Sequence, residues 1–251
     1  MVNNMVSVIM PVYNSECFIE EAILSVQAQT YPYWELIIVD DGSTDGSAMI
    51  AERYAGRDGR IRLFRFQKSS GMPAVPRNKG IQEARGRYIA FLDSDDTWLP
   101  DKLQQQVALF SNADTVIVYS DYEKIPENGT RSNRIVKAPA SSSYGDLLKG
   151  NVIGNLTGIY DVAKVGKMMF RLIHHEDYAM WLSILKKGGV ARNTNTVTAL
   201  YRVRKSSVSS KKFVLLFWQW NIYRNVEKLG LWKSFYYYAN YACRALYKSL
   251  I

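Results

Sequence analysis

Short apolar strands alternate with helices along the first part of the chain, and this alternation limits the possible folds more than any other feature. The predicted elements, in chain order, are strand 6–11, helix 16–29, strand 34–39, helix 47–54, strand 61–66, helix 77–84 and strand 88–92. This order predicts an α/β fold with a Rossmann-like, mostly parallel sheet and flanking helices. In such a sheet, ligands bind beyond the carboxyl ends of the strands.

The second half of the chain gives weaker signals. The expected elements are a helix at 100–110, a strand at 114–120, a short strand, turn and helix within 151–167, a helix at 174–187 and a last strand at 196–203. Residues 121–149 are rich in Ser, Pro, Asn and Gly, so we interpret them as an irregular surface segment.

Three carboxylates follow the strand at 88–92 within four residues. Because residues i and i+2 of an extended chain point to the same side, Asp93 and Asp95 can converge on one point. Two hard oxygen ligands suit Mg²⁺ or Mn²⁺, with the remaining positions left for water or a substrate phosphate. The alternative is a turn and a helix cap, and we expect Asp96 or Thr97 to cap the helix at 100–110.

A second acidic pair follows the strand at 34–39. Asp40 and Asp41 repel each other unless something offsets their charge, which distinguishes them from a simple turn with a helix N-cap. A carboxylate at this position can accept the ring N–H of a nucleobase, a contact that favours uracil over bases without that donor. Ser43 and Asp45 fit the simpler capping role.

Two single residues remain ambiguous on their own. Arg77 fits an exposed helix arginine, but beside a nucleoside diphosphate its planar fork can bind phosphate or a base oxygen. Asp177 is in the first turn of a predicted helix, where it interacts favourably with the helix dipole. Its alternative role is that of a general base near a reacting hydroxyl. The adjacent His174 and His175 are too few for a zinc site.

The net charge of +9 comes entirely from the C-terminal segment. Residues 1–201 contain 22 basic and 22 acidic side chains, whereas residues 202–251 contain ten basic side chains and one acid, Glu227. Two distant cysteines argue against a disulfide framework and fit a reducing cytoplasm. We see no signal peptide, and the apolar runs near the C-terminus are too short to span a bilayer.

Several motifs occur in an order that resembles the family 2 glycosyltransferases, which are inverting enzymes of the GT-A fold that use nucleotide sugars. The motifs are Val-Ser-Val-Ile-Met-Pro-Val-Tyr-Asn at 6–14, Ile-Ile-Val-Asp-Asp-Gly-Ser-Thr-Asp at 37–45, Pro-Arg-Asn-Lys-Gly-Ile at 76–81, Gly-Arg-Tyr-Ile-Ala-Phe-Leu-Asp-Ser-Asp-Asp at 86–96 and His-Glu-Asp-Tyr at 175–178. The resemblance implies a GT-A domain at 1–205. Its nucleotide-sugar part would be 1–120 and its acceptor and catalytic part 121–205.

The same resemblance implies roles for individual residues. Pro11, Tyr13 and Asp41 would contact the nucleoside, with help from Arg77. Asp93 and Asp95 would form the metal-binding Asp-x-Asp of a Mn²⁺ or Mg²⁺ site next to the diphosphate, with Asp95 the more direct ligand. Asp177 matches the position of the catalytic base.

A narrower likeness is carried by residues 151–160, 175–182 and 201–209. They resemble a subgroup that assembles bacterial O-antigen repeats. Those enzymes add glucose or galactose in β-1,3 linkage to an N-acetylhexosamine on undecaprenyl diphosphate. Many relatives have a histidine near Arg204 that can approach the metal. Because an arginine does not ligate a cation, we expect Arg204 to meet the donor diphosphate directly.

The resemblance therefore implies a UDP-sugar donor, with glucose ahead of galactose, and an undecaprenyl-diphosphate-linked acceptor. One rival is a nucleotidyltransferase, but its usual Gly-rich loop with a basic residue is absent from 12–16. The other is a nucleic-acid binder that uses the basic C-terminus. It leaves the acidic motifs unexplained, so we expect no nucleic-acid partner.

The C-terminal extension, residues 206–251, predicts two amphipathic helices. Residues 211–251 hold 12 of the 32 aromatic residues, with basic residues between them. From residue 231 onward, one helical stripe is apolar and another is basic, a pattern typical of helices that lie in a membrane interface. The alternative is that both helices pack on the catalytic domain. We expect a peripheral protein on the cytoplasmic face of the bacterial inner membrane.

Overall fold

The computed structural model describes residues 4–204 and 212–250. The strands are β1 (Val6–Val12), β2 (Trp34–Asp40), β3 (Ile61–Arg65), β4 (Tyr88–Phe91), β5 (Thr97–Trp98), β6 (Thr115–Pro126), β7 (Arg134–Val136), β8 (Ser141–Ser142), β9 (Ile159–Asp161) and β10 (Val190–Val203). The helices are α1 (Ile19–Gln27), α2 (Ser47–Ala55), α3 (Ala74–Glu83), α4 (Lys102–Leu109), α5 (Tyr144–Leu148), α6 (Val162–Val165), α7 (Glu176–Lys186), α8 (Lys212–Asn221) and α9 (Leu231–Leu250). A 3₁₀ turn spans Asn155–Thr157, and a π-helical turn spans Ile222–Val226.

One sheet runs through the molecule in the order β3-β2-β1-β4-β9-β6-β10-β5. β1 is parallel to both β2 and β4, and β3 is parallel to β2. The strand β9 is antiparallel to its neighbours β4 and β6, whereas β10 runs parallel to β6. The predicted α/β fold with a mostly parallel sheet is therefore confirmed. The chain order reverses beside β1, and ligands bind at such a switch point.

Alternate residues of the central strands face two separate apolar layers. Ile9 and Ile37 belong to one buried cluster, which α3, α5 and α7 cover. Their neighbours Met10 and Ile38 belong to the other, which α1, α2 and α4 cover. Every residue of β2 is buried, as expected for a strand covered on both faces. The layers leave only the two ends of the strands open to ligands.

The interpretation of residues 121–149 as irregular was wrong. β6 continues to Pro126, and β7, β8 and α5 follow within the same segment. The polar residues of β6 concealed the strand, because two of them are acids that point inward. The carboxylate of Asp121 accepts a hydrogen bond from the Ala138 backbone, and the buried carboxylate of Glu123 accepts from the Ser132 and Asn133 backbones. These bonds satisfy the buried charges.

The expected helix cap was also wrong. Thr97 lies in β5, and the residue before α4 is Asp101, whose side chain makes no capping hydrogen bond. Asp96 is buried, and its carboxylate accepts a hydrogen bond of 2.8 Å from the backbone N–H of Arg202 in β10. The third acid of the loop therefore joins two distant segments of the chain.

The C-terminal helical hairpin, residues 212–250, packs on the catalytic layers through its π-helical turn. Ile222 and Tyr223 are fully buried in the cluster that contains α5 and α7. None of the helices in residues 4–204 and 212–250 combines the length and apolar character needed to cross a bilayer. The predicted domain boundary at 205 and the 205–209 part of the motif at 201–209 lie outside the described residues, so this boundary stays a prediction.

Candidate active site

A cleft of about 400 Å³ opens at the carboxyl ends of β1, β2 and β4. Seven of the eight residues singled out from the sequence line it: Pro11, Tyr13, Asp41, Arg77, Asp93, Asp95 and Arg204. The eighth, Asp177, is not among the lining residues. Residues from five separate motifs thus share one concave site, which is where a ligand of this kind of sheet binds.

Asp41 lines the cleft directly after the end of β2. The side chain is buried, and its Oδ2 accepts hydrogen bonds from the hydroxyls of Ser69 and Ser70 at 2.9 and 3.0 Å. The Ser70 backbone N–H donates to both oxygens at 3.0 Å. Because Oδ1 takes only this one shared bond, it keeps capacity for another donor. The serine pair, which follows β3, was not predicted from the sequence.

Gly42 lets the serine loop approach Asp41 closely. Its φ of +72° is in the left-handed region, and a Cβ there would lie 2.7 Å from the backbone of Lys68 and of Ser69. A side chain at this position would therefore displace the two serines from the carboxylate.

Asp40, the other member of the pair, is not among the cleft-lining residues and has different partners. Its Oδ1 accepts a hydrogen bond from the Ser43 backbone at 3.2 Å, and its Oδ2 lies 3.6 Å from Nε of Arg65. The mutual repulsion expected of Asp40 and Asp41 is thus offset by separate sets of donors, so both can stay buried.

Arg77 joins the acidic loop, residues 93–96, to the start of α7. Its guanidinium is almost fully buried and donates hydrogen bonds to Oδ1 of Asp93 at 2.7 Å and to Oε1 of Glu176 at 2.8 Å. Burial alone would lower the Arg77 pKa, but Asp93 and Glu176 raise it above its ordinary value. Both terminal nitrogens are therefore committed to protein carboxylates, a role that the sequence did not reveal.

Asp95 sits deeper in the loop than Asp93 and faces Arg204. The guanidinium of Arg204 lies 3.4 Å from Oδ2 of Asp95. Burial raises the Asp95 pKa, and the neighbouring charge of Asp93 raises it further. The two carboxylates are therefore close enough to repel each other, as a cation-binding pair would be.

Arg202 supports the backbone of the acidic loop, a role that was not predicted from the sequence. Its buried guanidinium donates to the backbone oxygens of Asp95 and Glu127 at 2.8 Å and to Oε2 of Glu21 at 2.6 Å. Arg204 follows Arg202 by two residues, just after the end of β10. Both guanidinium groups lie just over 5 Å from the ring of Phe18.

Asp177 lies in the first turn of α7, directly after the residue that Arg77 binds. Its Oδ2 accepts a hydrogen bond of 3.3 Å from the amide of Asn151. Burial raises the pKa of Asp177, and burial likewise raises that of Glu176. The pair Glu176 and Arg77 links Asp177 to the cleft, although Asp177 itself stays outside the cleft lining.

The two histidines lie against the C-terminal hairpin. The rings of His174 and Trp218 stack with centroids 3.9 Å apart, and His175 meets the same indole edge-on at 5.5 Å. Among the described residues, no group of three or more His, Cys, Asp or Glu side chains could hold a metal ion. A cation at Asp93 and Asp95 would therefore take its remaining ligands from water or a substrate phosphate.

The sequence pattern of the family described as Glycosyl transferase family 2 matches residues 7–174. A relative from Bacillus subtilis (strain 168), named "Putative teichuronic acid biosynthesis glycosyltransferase TuaG", is 40% identical over 98% of both chains. An Escherichia coli relative is named "UDP-Glc:alpha-D-GlcNAc-diphosphoundecaprenol beta-1,3-glucosyltransferase WfgD". It is 38% identical over 94% of this chain and 92% of its own. A second, WfaP, has the same printed activity and is 38% identical over 88% and 86%.

Two solved structures share the fold. Staphylococcus aureus TarS 1-349 in complex with UDP-GlcNAc superposes with a TM-score of 0.73 at 21% identity, over 95% of this chain and 71% of TarS. The mannosyltransferase PcManGT from Pyrobaculum calidifontis, in complex with GDP-Man and Mn²⁺, gives a TM-score of 0.68 at 20% identity, over 90% of this chain and 64% of its own. At these identities the likeness concerns the fold alone.

Proposed function

The chain belongs to glycosyl transferase family 2, and we propose that it transfers glucose from UDP-glucose to an N-acetylhexosamine carried on a lipid diphosphate. The membership confirms the family inferred from the motifs and decides against the nucleotidyltransferase, and the shared fold is of the expected GT-A type. The names of the two E. coli relatives support glucose and a β-1,3 linkage. The observation that carries the proposal is the single cleft shared by Asp41, the acidic loop and Arg204.

The uracil of the donor is proposed to lie against Asp41. The free capacity of its Oδ1 suits the uracil ring N–H, while the serines hold the carboxylate still. Tyr13, half exposed at the cleft mouth, and Pro11 offer apolar surface to the base and ribose. Adenine has no ring N–H on its base-pairing edge and would not match this acceptor in the same way.

The diphosphate of the donor is proposed to lie between the acidic loop and Arg204. Asp93 and Asp95 fit a Mn²⁺ or Mg²⁺ ion, because the repulsion between two partly buried carboxylates is relieved by a cation. When bound, the ion would supply charge compensation for the departing UDP. Arg204 contributes a fixed positive charge on the same side, which favours the UDP leaving group.

Asp177 is proposed to act as the general base. It takes the proton from an acceptor hydroxyl as that oxygen attacks the anomeric carbon from the face opposite UDP. The new bond from the acceptor oxygen to the anomeric carbon forms while the bond to the phosphate oxygen breaks. Its electron pair leaves with UDP, and the configuration at the anomeric carbon is inverted. The raised pKa of Asp177 makes it a better proton acceptor than an exposed aspartate.

The enzyme is proposed to work on the membrane surface, as a peripheral protein on the cytoplasmic face. The outer side of the C-terminal hairpin exposes Trp232, Phe235 and Tyr236, with Lys233 beside them. Exposed aromatics next to lysine fit a bilayer interface with anionic lipids. A lipid-linked acceptor would bring its reacting sugar to the same surface.

A transfer assay with a short-chain diphosphate lipid carrying GlcNAc tests the proposed function. We expect product with UDP-glucose, a β-1,3 linkage by NMR, and inhibition by UDP far stronger than by GDP or ADP. If product forms faster from UDP-galactose than from UDP-glucose, the donor is UDP-galactose. Equal inhibition by the three diphosphates would contradict the uracil contact, and an acceptor without the diphosphate that works equally well would contradict the acceptor class.

A further inference from the structure

The C-terminal helical hairpin reaches the helix that carries Asp177, although it follows the catalytic motifs in sequence. Its π-helical turn is tied to α7 through Glu227, whose Oε2 accepts hydrogen bonds from Nζ of Lys186 at 2.8 Å and from the hydroxyl of Tyr144 at 2.6 Å. The hairpin is therefore anchored to both α7 and α5. Its aromatic residues then contact the two segments that surround the base.

The first contact is at the turn immediately before the base. His175 has φ 60° and ψ 37°, a left-handed conformation that a residue other than glycine adopts only when its surroundings hold it. Trp218 contributes to that hold, with its indole stacked on the ring of His174 and edge-on to that of His175, while Gln219 hydrogen-bonds His175. Because α7 begins at the next residue, this turn sets where its first residues, Glu176 and Asp177, lie.

The second contact is with the partner of the base. The Tyr223 hydroxyl donates to the backbone oxygen of Leu148 at 2.6 Å, at the end of α5. The Tyr178 hydroxyl donates to the preceding backbone oxygen at 2.8 Å. Three residues after Leu148, the amide of Asn151 donates to Asp177. The hairpin thus fixes the backbone close to Asn151. Within the described residues, Asn151 is the only residue whose side chain is seen to hydrogen-bond the Asp177 carboxylate.

We propose that Trp218 is a positioning residue for the catalytic base, so that docking of the C-terminal hairpin completes the active site. The proposal rests on the role given to Asp177 above. Trp218 touches neither the cleft nor the proposed donor site and acts only through the turn at His174 and His175. It therefore acts on the position of the first residues of α7 and makes no contact of its own with the donor site.

The neighbouring residue of α8 offers a matched control. Phe217 is an aromatic residue on the same helix, but it is 71% exposed. With a water-soluble acceptor, membrane contact does not influence the rate. Replacing Phe217 by alanine then tests loss of an aromatic residue from α8 without loss of the contact with the histidines.

Steady-state kinetics of Trp218→Ala and Phe217→Ala test the proposal. We expect kcat of Trp218→Ala to fall by about ten- to a hundredfold, as for a misplaced catalytic group, with donor KM unchanged within about twofold. Phe217→Ala should keep the wild-type kcat, and Trp218→Phe should recover most of it because a ring is restored. A raised donor KM at normal kcat, or the same loss in Phe217→Ala, would overturn the proposal.

A double-mutant cycle with Asp177→Asn separates this role from general stability. If Trp218 acts through the base, Trp218→Ala should cause little further loss in the Asp177→Asn background, because the two residues act as a unit. If the losses in kcat of the two single variants multiply in the double variant, the role of Trp218 is overturned but that of Asp177 is not. If kcat of Asp177→Asn is near normal, Asp177 is not the base. Tyr223→Phe, which removes one hydroxyl, provides a milder variant and should lower kcat in the same direction. An unchanged kcat in both Tyr223→Phe and Trp218→Ala would contradict the proposal.

Discussion

Buried charges at the site are each matched by specific hydrogen-bond partners, and this pairing determines which groups remain available to a ligand. Asp41 is held by serines, Asp96 by a backbone N–H, and Arg77 by two carboxylates. Asp95 is the member whose partner is weakest, a guanidinium at 3.4 Å. Its carboxylate is therefore the one most available to a cation.

Divalent metal dependence follows from this arrangement. Asp95→Ala should abolish transfer while the protein stays folded, and chelation by EDTA should do the same reversibly, because no third protein ligand is evident among the described residues. Asp114→Ala is a matched control, since the Asp114 side chain is exposed and pairs with Arg192 away from the cleft. Rates with added Mn²⁺ and Mg²⁺ provide the measurement, and full activity in EDTA would refute the assignment.

The pH profile should reveal the base. Burial raises the pKa of Asp177 above its usual value near 3.9, and the group works only when deprotonated. Activity should therefore decline as pH falls through this raised pKa, at higher pH than for an exposed aspartate. Asp177→Asn should lose most of kcat with little change in UDP affinity. A kcat close to wild type would shift the role to Glu176.

The sequence was informative at this scale for residues that belong to local motifs. Asp41, Asp93 and Asp95 stand at strand ends, and strand direction alone brings them to one edge. Their partners follow from tertiary packing, as Ser70 and Arg202 show, because each lies far along the chain from the acid it supports. No local spacing predicts such pairs.

Among the elements, the π-helical turn most directly ties the C-terminal hairpin to the catalytic layers. Its buried residues Ile222 and Tyr223 join the core, and Glu227 follows the turn. Glu227 is the only acid among residues 202–251, yet it is buried. Its position explains why a basic segment keeps a single carboxylate.

Glu227→Gln should lower the free energy of unfolding. The change keeps the side-chain shape but removes the charge that accepts from Tyr144 and Lys186. We expect a loss of about 1–2 kcal/mol, limited because Lys186 is half exposed. Urea unfolding measures it. Glu52→Gln, at an exposed helix position, should change stability by less than about 0.5 kcal/mol, and equal effects of the two would contradict the anchoring role.

Element prediction succeeded where burial and hydropathy agree. β2 is apolar and buried throughout, so its composition indicated its place. The far half of β6 is buried but carries Asp121 and Glu123, so its polarity hid the alternation of a strand. The prediction that Asp96 or Thr97 caps α4 failed because the Asp96 carboxylate accepts from the Arg202 backbone in β10 instead.

At the scale of the whole molecule, the hairpin has two different aromatic faces. Ser234, Tyr237 and Tyr238 turn toward the body of the protein, whereas Trp232 is 88% exposed. The two interpretations of the C-terminal segment, packing on the catalytic domain and contact with a membrane, therefore each correspond to one face of the hairpin. The inner face packs on the catalytic layers, and the outer face is the proposed membrane contact.

Vesicle binding should depend on that outer face. Trp232→Ala combined with Tyr236→Ala should weaken binding to anionic vesicles several-fold, and salt should weaken binding of the wild-type protein, because exposed lysines contribute. Tyr33→Ala removes an aromatic residue of 65% exposure from the N-terminal half and should have no effect. Co-sedimentation measures this. Absence of wild-type binding at low salt would refute the membrane contact.

The contacts of Arg202 also determine when the enzyme becomes complete during synthesis. Arg202 bonds Glu21 across 181 residues and the backbone of Asp95 across 107. The ribosome delivers the N-terminal strands first, but the acidic loop after β4 receives these partners only once β10 has emerged. Nascent chains of increasing length should therefore protect β1 and β2 from proteolysis before they protect this loop, so an unfinished chain would not carry a preformed metal site.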